Sequence, residues 1–280
     1  MKILVTGASG RLGSVTVDHL RRYGYEVTGI DLMEHPSTDE LIDILDFEAI
    51  EHISKGVDAI VHTAALHGRH YDLNYSREAF IDVNIKGTLN LLNAAVKNGV
   101  KKFIYTSTTS IYGTAMNSET QAVWVDETLI EEPRDIYDIT KQCCEQLCRD
   151  FFDKEGLEAI VLRVARFLPE VENLKLNHRL YRGLDERDGA EAIRLSLRHT
   201  FKQFDIFNIS SGSPFRKEDL PTLKSSPFDV IIKYYPEAEE IYKKKGWTFP
   251  ITIDRVYSSD KARTIFGYRP KYTFDFLLHN

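Results

Sequence analysis

The segment that most constrains the fold lies at the start of the chain. An apolar run, Lys2–Thr6, is followed at once by Gly7, Gly10 and Gly13, and then by a helical pattern. Glycines at these spacings permit a tight turn, close approach of a phosphate to the backbone, and close contact between helix and strand. The free N–H groups at a helix N-terminus attract phosphate. The segment therefore predicts a βα unit that binds a dinucleotide. The loop residues expected to contact it are Gly7, Ser9, Gly10, Arg11, Leu12 and Gly13.

An acidic residue, Asp31, ends the second predicted strand at the distance expected for a ribose-binding carboxylate. Such a carboxylate accepts hydrogen bonds from the adenosine ribose hydroxyls and repels a 2′-phosphate. Leu32 and Met33, which follow it, provide no cation to reverse this preference, whereas Arg11 in the glycine loop could. The sequence therefore favours NAD over NADP and leaves the effect of Arg11 open.

Strand and helix patterns alternate through the N-terminal half, which predicts parallel βαβ units. The predicted strands are Lys2–Thr6, Glu26–Asp31, Ala59–Thr63, Lys102–Ser107 and Ala159–Val164, and the predicted helices are Leu12–Tyr23, Phe80–Lys97 and Asp135–Lys154. Past Arg166 the elements become short, but a helix over Glu186–Leu197 and a strand over Phe204–Ile209 are also expected.

We therefore predict an α/β protein with a Rossmann-type doubly wound parallel sheet. Residues 1–166, with 186–210 returning to the sheet, would form the NAD-binding domain. Residues 167–185 and 211–280 would form a small C-terminal lobe that binds the substrate.

Composition and charge exclude several classes of partner. The 280 residues carry a net charge of −6, which provides little attraction for nucleic acid or an anionic membrane. No apolar run approaches the ~20 residues needed to cross a bilayer, and the N-terminus lacks a signal-peptide pattern. Cys143, Cys144 and Cys148 lie together on one predicted helix, poorly placed for a structural disulfide and without further metal ligands nearby. We expect a cytoplasmic protein with no bound metal and no nucleic-acid or membrane partner.

A Tyr–Lys pair marks the candidate catalytic site. Tyr137 and Lys141 are four residues apart, which places a phenol and an ammonium on one helix face. A nearby ammonium lowers the pKa of a phenol, so that the phenolate can take a proton from a substrate hydroxyl. Tyr257 and Lys261 form a second match, but only the first pair follows a predicted strand that ends in hydroxyl residues, at 107–110. Ligands of open α/β sheets bind at such strand ends, so Tyr137 is preferred.

This ordered series of motifs resembles the extended short-chain dehydrogenase/reductases, the NAD-dependent epimerase/dehydratase family. The resemblance covers nearly the whole chain. Besides the glycine loop, Asp31 and the Tyr137–Lys141 pair, it rests on Asp43-Ile44, Val61-His62-Thr63-Ala64-Ala65, Asn84 with Gly87-Thr88, Ser107-Thr108 with Ile111-Tyr112-Gly113, Asn208-Ile209 with Gly212, and the tail from Asp260 to Pro270.

The resemblance implies a role for each matching residue. Thr108 would hydrogen-bond the reacting hydroxyl, Tyr137 would be the acid and base, and Lys141 would bind the nicotinamide ribose and tune Tyr137. Further contacts with the cofactor are implied for Asp43, Ile44, Ala64, Ala65 and Asn84. For the substrate we expect Thr108, Thr109, Tyr112, Arg166 and Arg179, although the arginines could instead be surface charges.

The residues after Thr108 narrow the reaction. The 4,6-dehydratase branch of the family has an Asp-Glu pair there, whereas this chain has Thr109 and Ser110, so water elimination is not expected. The segment 107–113 resembles that of epimerases. The remaining lobe is shorter than nucleotide-sugar enzymes usually carry, and suits a small sugar or sugar acid as readily as a nucleotide sugar.

We therefore expect an NAD-dependent epimerase that acts on a sugar or nucleotide-sugar carbinol by transient hydride transfer. The alternative is an NAD-dependent sugar or uronate dehydrogenase that releases NADH. A third hypothesis, a non-catalytic protein that senses NAD, is disfavoured because it would not need the residues Thr108, Tyr137 and Lys141.

The resemblance also implies a homodimer. In this family, helices corresponding to Phe80–Lys97 and Asp135–Lys154 pair with those of a second copy. The apolar excess on both segments is compatible with such pairing, and equally with burial inside one copy.

Overall fold

A computed structural model describes residues 1–167 and 171–280, apart from the side chains of residues 69 and 71. Pro169, which the sequence marks as the start of a short connection, lies outside the described residues. The strands are β1 (Lys2–Thr6), β2 (Glu26–Asp31), β3 (Glu40–Leu41), β4 (Ala59–His62), β5 (Lys102–Thr108), β6 (Val123–Val125), β7 (Glu158–Val164), β8 (Ile206–Ile209) and β9 (Arg255–Tyr257).

The α-helices vary widely in length. They are α1 (Arg11–Arg22), α2 (Phe47–Ile53), α3 (Gly68–Asp72), α4 (Arg77–Phe80), α5 (Gly87–Lys97), α6 (Ile136–Glu155), α7 (Glu172–Arg179), α8 (Glu186–Arg198), α9 (Leu220–Ser225), α10 (Pro227–Tyr234), α11 (Ala238–Lys245), α12 (Asp260–Phe266) and α13 (Phe274–His279). A π-helical segment, Ile81–Lys86, joins α4 to α5, and 3₁₀ turns cover Thr109–Met116 and Lys217–Asp219.

The central sheet confirms the predicted fold class. Seven strands lie in the order β3-β2-β1-β4-β5-β7-β8, and every pair is parallel. The direction of winding reverses between β1 and β4, which leaves a crevice at the carboxyl ends of these strands. Thr6 pairs with His62 at this point, so the glycine loop lies directly beside the end of β4.

Each face of the sheet is covered by a separate apolar core, as the alternation of side chains along buried strands requires. On one face Val5, Val61 and Ile104 pack beneath α1 and α8. On the other face Leu4, Ile60 and Phe103 pack beneath α2, α5 and α6. The segment 186–198 thus lies against α1, and β8 extends the sheet beyond β7.

A third core lies among the later elements of the chain, around α9, α10 and α11. Its centre includes a stacked pair of rings, Tyr242 and Phe249, whose centroids are 3.9 Å apart. The short strands β6 and β9 pair in parallel and connect this region to the segment that follows β5. Neither strand was predicted, because three residues are too few for a period-two pattern to be recognised.

The predicted helix Phe80–Lys97 is interrupted by the π-helical segment. A π turn carries one extra residue, and such turns often accompany functional sites. Here the turn buries the side chain of Asn84, which is 1% exposed, towards α6. The helical periodicity that predicted a regular helix therefore missed the turn that directs Asn84 inwards.

The described ranges contain no helix that is both long and apolar enough to span a membrane. Among the same residues no group of three or more His, Cys, Asp or Glu side chains is arranged to hold a metal ion. Cys144 and Cys148 are buried, Cys143 is half-buried, and all three are free thiols.

A buried ion pair fastens α6 to the sheet. Arg163 on β7 is 1% exposed, and its Nε and Nη2 donate to the two oxygens of Glu145 on α6 at 3.0 and 2.6 Å. The same guanidinium pairs with Glu131 and donates to the Tyr112 hydroxyl at 3.0 Å. That hydroxyl donates to Asn208 on β8 at 2.9 Å. Arg163 therefore joins β7, α6 and the segments before α6 and after β5.

Replacing Glu145 tests this network. We expect Glu145→Gln to lower the free energy of unfolding by about 3 kcal/mol, because it leaves the Arg163 charge buried with only Glu131 as a charged partner. Urea denaturation measures the change. Glu155→Gln, at the exposed end of the same helix, is the matched control and should alter stability by less than ~0.5 kcal/mol. Equal stability of the two variants would contradict the role assigned to the pair.

Candidate active site

The glycine loop is pressed against the end of β4. Gly7 has a φ of +73°, and a Cβ built there would lie 2.6 Å from the Ala64 nitrogen. A Cβ on Gly13 would lie 1.9 Å from the carbonyl oxygen of Gly7. Larger residues are therefore excluded at both positions, as the sequence predicts for a loop that must turn tightly and admit a phosphate.

The start of α1 fits an anionic ligand. The helix begins after Gly10, and no side chain caps its N-terminus, so its first N–H groups remain available. Asp31 lies at the other end of this cradle. Its Oδ2 accepts a hydrogen bond from Ser9 N at 2.9 Å and its Oδ1 accepts one from Leu32 N at 2.7 Å. A phosphate site next to a fixed carboxylate at a strand end is the arrangement that an adenine dinucleotide requires.

The side chain of Arg11 contacts the segment after β7 and the start of α8. Its Nη1 donates to the Phe167 carbonyl at 2.5 Å, and its Nη2 lies 3.1 Å from Glu186 at the start of α8. Leu12, Phe167 and Gly189 meet beside it. The guanidinium thus ties the segment after β7 to the glycine loop.

Two further residues expected at the cofactor lie on the segment after β3. Asp43 caps a turn by accepting a hydrogen bond from Leu45 N at 2.9 Å. Ile44 is 7% exposed, and its side chain fills the space left by Gly87 at the start of α5. Ala64 and Ala65 follow β4 and are half-buried, with Ala64 N donating to the Thr6 hydroxyl at 3.3 Å.

Asn84 was expected to contact the cofactor, but its side chain makes its hydrogen bonds within the protein. Its Oδ1 accepts a hydrogen bond from Leu66 N at 2.8 Å, and its Nδ2 donates to Leu66 O at 3.0 Å and to the Thr140 hydroxyl at 2.9 Å. Because the amide is fully used and buried, direct contact with a cofactor is not supported. Asn84 instead holds the segment after β4 against α6, between Tyr137 and Lys141.

His62 is a site residue that sequence reasoning missed. It is 1% exposed at the end of β4, with Nδ1 2.7 Å from the Thr6 hydroxyl and Nε2 3.0 Å from the Thr88 hydroxyl. Since Thr88 donates its proton to Asn84 O, it accepts one from Nε2. Burial, with the charge of Lys141 adding to it, lowers the pKa of His62 to about 3. The ring is therefore neutral. The sequence showed His62 only as part of the Val61–Ala65 motif, without a role of its own.

The three residues expected to be catalytic meet where β5 ends and α6 begins. Asp135 caps α6 by accepting a hydrogen bond from Asp138 N at 2.9 Å, which aligns Tyr137 and Lys141 on one side of the helix. Lys141 is 3% exposed, and its Nζ donates to Thr106 O at 2.6 Å, close to Thr108 at the end of the same strand. Burial lowers the pKa of Lys141 to about 8.

The phenol of Tyr137 differs from the expectation. Its pKa is raised, chiefly by burial and then by the charges of Asp138 and Asp135, while hydrogen bonding with Thr108 acts in the opposite direction. Lys141 is turned towards Thr106 O and lies 4.3 Å from the centre of the Tyr105 ring. The ammonium of Lys141 is therefore not the group that sets the pKa of the Tyr137 phenol.

Three of the five residues expected at the substrate are buried. Tyr112 is 0% exposed, and its hydroxyl belongs to the Arg163 network, so its expected role is wrong. Thr109 is 2% exposed. Arg179 is 5% exposed and pairs with Asp185 at 3.3 Å, which removes it from the expected anion site. Thr108 and the exposed Arg166 remain as candidates.

Tyr257 and Lys261, the second Tyr–Lys match, each make contacts with other parts of the protein. Tyr257 lies in β9, is 3% exposed, and its hydroxyl contacts the sulfur of Met116 at 3.4 Å. Lys261 pairs with Asp205 and donates to Ile206 O at 2.9 Å. The lysine thus supports β8 and leaves Tyr257 in a packing role.

A model of the NAD dependent epimerase/dehydratase family matches residues 3–181. The chain belongs to this family. Membership confirms the predicted resemblance, and with it NAD as the cofactor. The chain is also similar to a uronate dehydrogenase of Pseudomonas syringae pv. tomato, with 28% identity over 181 residues. That alignment spans 62% of each protein, so this chain covers less than two thirds of the relative.

Two solved structures share this fold over nearly the full length of the chain. A short-chain dehydrogenase/reductase superfamily protein from Agrobacterium tumefaciens with bound NAD has a TM-score of 0.74 at 22% identity, over 100% of this chain and 95% of that one. UDP-N-acetylglucosamine 4-epimerase from Bacillus cereus has a TM-score of 0.72 at 25% identity, over 99% and 96% of the two chains.

Asp31 and Arg11, the two charged residues at the glycine loop, allow a prediction about the preference for NAD over NADP. We expect Asp31→Asn to lower the preference for NAD over NADP by about tenfold, because the carboxylate that repels a 2′-phosphate is lost. Arg11→Ala should leave that preference unchanged, since its guanidinium is held by Phe167 and Glu186. Calorimetric titration with both nucleotides gives the two ratios. A loss of NADP binding confined to Arg11→Ala would show instead that Arg11 serves the 2′-phosphate.

Proposed function

We propose that this chain is an NAD-dependent epimerase that inverts a carbinol of a sugar or nucleotide sugar. The observation that carries the proposal is the meeting of Thr108, Tyr137 and Lys141 at the sheet edge beside the glycine loop. A proton acceptor, a hydroxyl donor and a buried cation at that place are what oxidation of a carbinol next to a nicotinamide requires.

The proton chemistry belongs to Tyr137 and Thr108. Tyr137 takes the proton of the substrate hydroxyl at its phenol oxygen, while the Thr108 hydroxyl hydrogen-bonds the same reacting oxygen. When bound, NAD supplies the acceptor and later the donor of the hydride. Because burial raises the pKa of Tyr137, its phenolate is a strong base towards the substrate hydroxyl. The phenol gives the same proton back to the carbonyl oxygen when the hydride returns. Lys141 would hold the ribose hydroxyls from the same helix.

Retention of the cofactor distinguishes an epimerase from a dehydrogenase. An epimerase must keep its reduced cofactor until the hydride returns, whereas a dehydrogenase must release it. The structural similarity to UDP-N-acetylglucosamine 4-epimerase from Bacillus cereus, at 25% identity, supports the epimerase.

The second candidate is an NAD-dependent dehydrogenase of a sugar or uronate. One observation favours it: the similarity to a uronate dehydrogenase, at 28% identity over 181 residues. We propose that residues 167–185 and 211–280 form this substrate lobe. Both candidates share the same oxidation step and the same residues.

We further propose that the protein is a cytoplasmic homodimer. The segments 80–97 and 136–155 would form the contact, as in the family. Ile81 and Ile139 on these segments are 46% and 51% exposed, and both offer apolar surface for such a contact. The three free thiols on α6 support a reducing compartment.

One experiment separates the candidates. The purified chain is denatured, and any released nucleotide is identified by mass spectrometry. The chain is then incubated with UDP-sugars, free sugars and uronates in turn. We expect bound NAD and formation of an epimer without net NADH. Sustained NADH production from a uronate or free sugar with added NAD would establish the dehydrogenase instead, and bound NAD without any turnover would favour an NAD-sensing protein.

Replacing the phenol tests the acid and base. We expect Tyr137→Phe to lower kcat by about 10²- to 10⁴-fold, because the group that moves the proton is removed. Its affinity for NAD should stay within about twofold of the parent, measured by calorimetry. Tyr257→Phe is the matched control from the second Tyr–Lys pair and should retain nearly full activity. Equal kcat values for Tyr137→Phe and the parent would remove Tyr137 from the mechanism.

A further inference from the structure

A group of polar contacts beside the catalytic residues has no part in the proton chemistry described above. Its centre is Asp138, the residue after Tyr137, whose side chain is 0% exposed. Ser110 Oγ donates to Asp138 Oδ1 at 2.5 Å. Arg134 N donates to Oδ2 at 3.3 Å, and the Arg134 Nε lies 3.6 Å from the same oxygen. The carboxylate therefore joins the segment after β5 to the start of α6.

The contacts continue to the catalytic threonine. Ser110 N donates to the Thr108 hydroxyl oxygen at 3.1 Å, so Ser110 is bound to Thr108 by its backbone and to Asp138 by its side chain. The Arg134 Nη2 donates to Ser110 Oγ at 3.4 Å. A continuous chain of hydrogen bonds thus runs from the Thr108 hydroxyl to the residue that follows Tyr137.

Helix capping does not account for a buried carboxylate here. The capping position of α6 is already held by Asp135, which accepts the hydrogen bond from Asp138 N. A carboxylate in a first helical turn gains from the helix dipole without being buried. Burial is unfavourable for it and raises the pKa of Asp138, against hydrogen bonding by Ser110 and the charge of Arg134. The Asp138 carboxylate is therefore buried to contact Ser110 and Arg134, and not to cap the helix.

We propose that Asp138 is a positioning residue, which fastens the Thr108–Ser110 turn to the first turn of α6 and thereby sets the approach of the Thr108 hydroxyl to the Tyr137 phenol. The proposal rests on the function proposed above, since it concerns the two hydroxyls that bind the reacting oxygen. A reacting pair held on two separate elements needs such a tie, because a displacement of about 1 Å can cost on the order of 10²-fold in rate.

The charge of Asp138 has a second consequence for Tyr137. The groups that face this phenol are Asp138 and Asp135 from the helix start, and Thr108 and Tyr105 from β5. Arg134 is the cation in contact with Asp138. Removing the negative charge of Asp138 stabilises the phenolate, so the limb on which activity rises with pH should move to lower pH.

Four variants test the proposal in the NAD-loaded chain. Ser110→Ala and Asp138→Ala remove the tie, and Asp138→Asn keeps an acceptor for Ser110 but removes the charge. Asp150→Asn, exposed on α6 about 18 Å further along the axis, is the control for charge alone. For each variant, hydrogen exchange at residues 109–113, NAD affinity and thermal stability are measured. The kcat, the KM and the pH profile of kcat/KM are then measured with whichever UDP-sugar, free sugar or uronate the chain converts in the experiment described under Proposed function.

We expect amide exchange at 109–113 to rise by about tenfold or more in Ser110→Ala and Asp138→Ala, with NAD affinity unchanged. Their kcat should fall by about 10- to 100-fold while KM stays within about threefold. Asp138→Asn should retain most of kcat and shift the acidic limb of kcat/KM by about one pH unit downwards. Asp150→Asn should match the parent in every measurement.

Unchanged exchange at 109–113 in both tie-removing variants would overturn the proposal, as would an unchanged kcat in both. If Asp138→Ala fails to fold, Ser110→Ala and Asp138→Asn decide the outcome. A chain that turns over no sugar would refute the proposed function but not the tie, because hydrogen exchange and NAD affinity are read without a substrate.

Discussion

The geometry of this site depends first on the buried pair between Arg163 and Glu145. The pair joins the middle of α6 to β7, and α6 carries Tyr137 and Lys141 on the turns before Glu145. An uncompensated charge in this position would be strongly unfavourable, so the pair opposes any packing of α6 that separates Glu145 from Arg163. The helix that holds Tyr137 and Lys141 is thereby fastened to the sheet.

Two smaller networks complete the placement, one on each side of Lys141. Neutral His62 links β1 and β4 to Thr88, which in turn donates to Asn84 O, and the Asn84 amide holds the segment after β4. Asp138 links α6 to the turn after β5 through Ser110. The central side chains His62, Asn84 and Asp138 are buried, and each network joins residues distant in the chain. Burial strengthens the hydrogen bonds that these side chains make.

Much of the fold could be predicted because it depends on local patterns. Parallel strands buried on both faces give apolar runs, and the glycine loop is a contiguous motif, so β1, β2, β4, β5, β7, β8 and the cradle for NAD were recognisable. The two-residue strand β3 was not. The failures have a common cause. Tyr112 and Arg179 are polar side chains near the expected site, yet their partners Asn208 and Asp185 hold them inside the protein. No local pattern reveals such a partner.

The sequence by itself determined the fold class, the family, the cofactor and the candidate catalytic pair of Tyr137 and Lys141, because each depends on residues close together in the chain. Only the tertiary structure decided the surroundings of those residues. In the folded chain Lys141 donates to Thr106 O, and His62 is neutral. Asn84 accepts a hydrogen bond from Leu66 N, and Asp138 is buried next to Tyr137 in the chain. The physical reason is that pKa values and hydrogen-bond partners depend on burial and on neighbours brought together from distant segments.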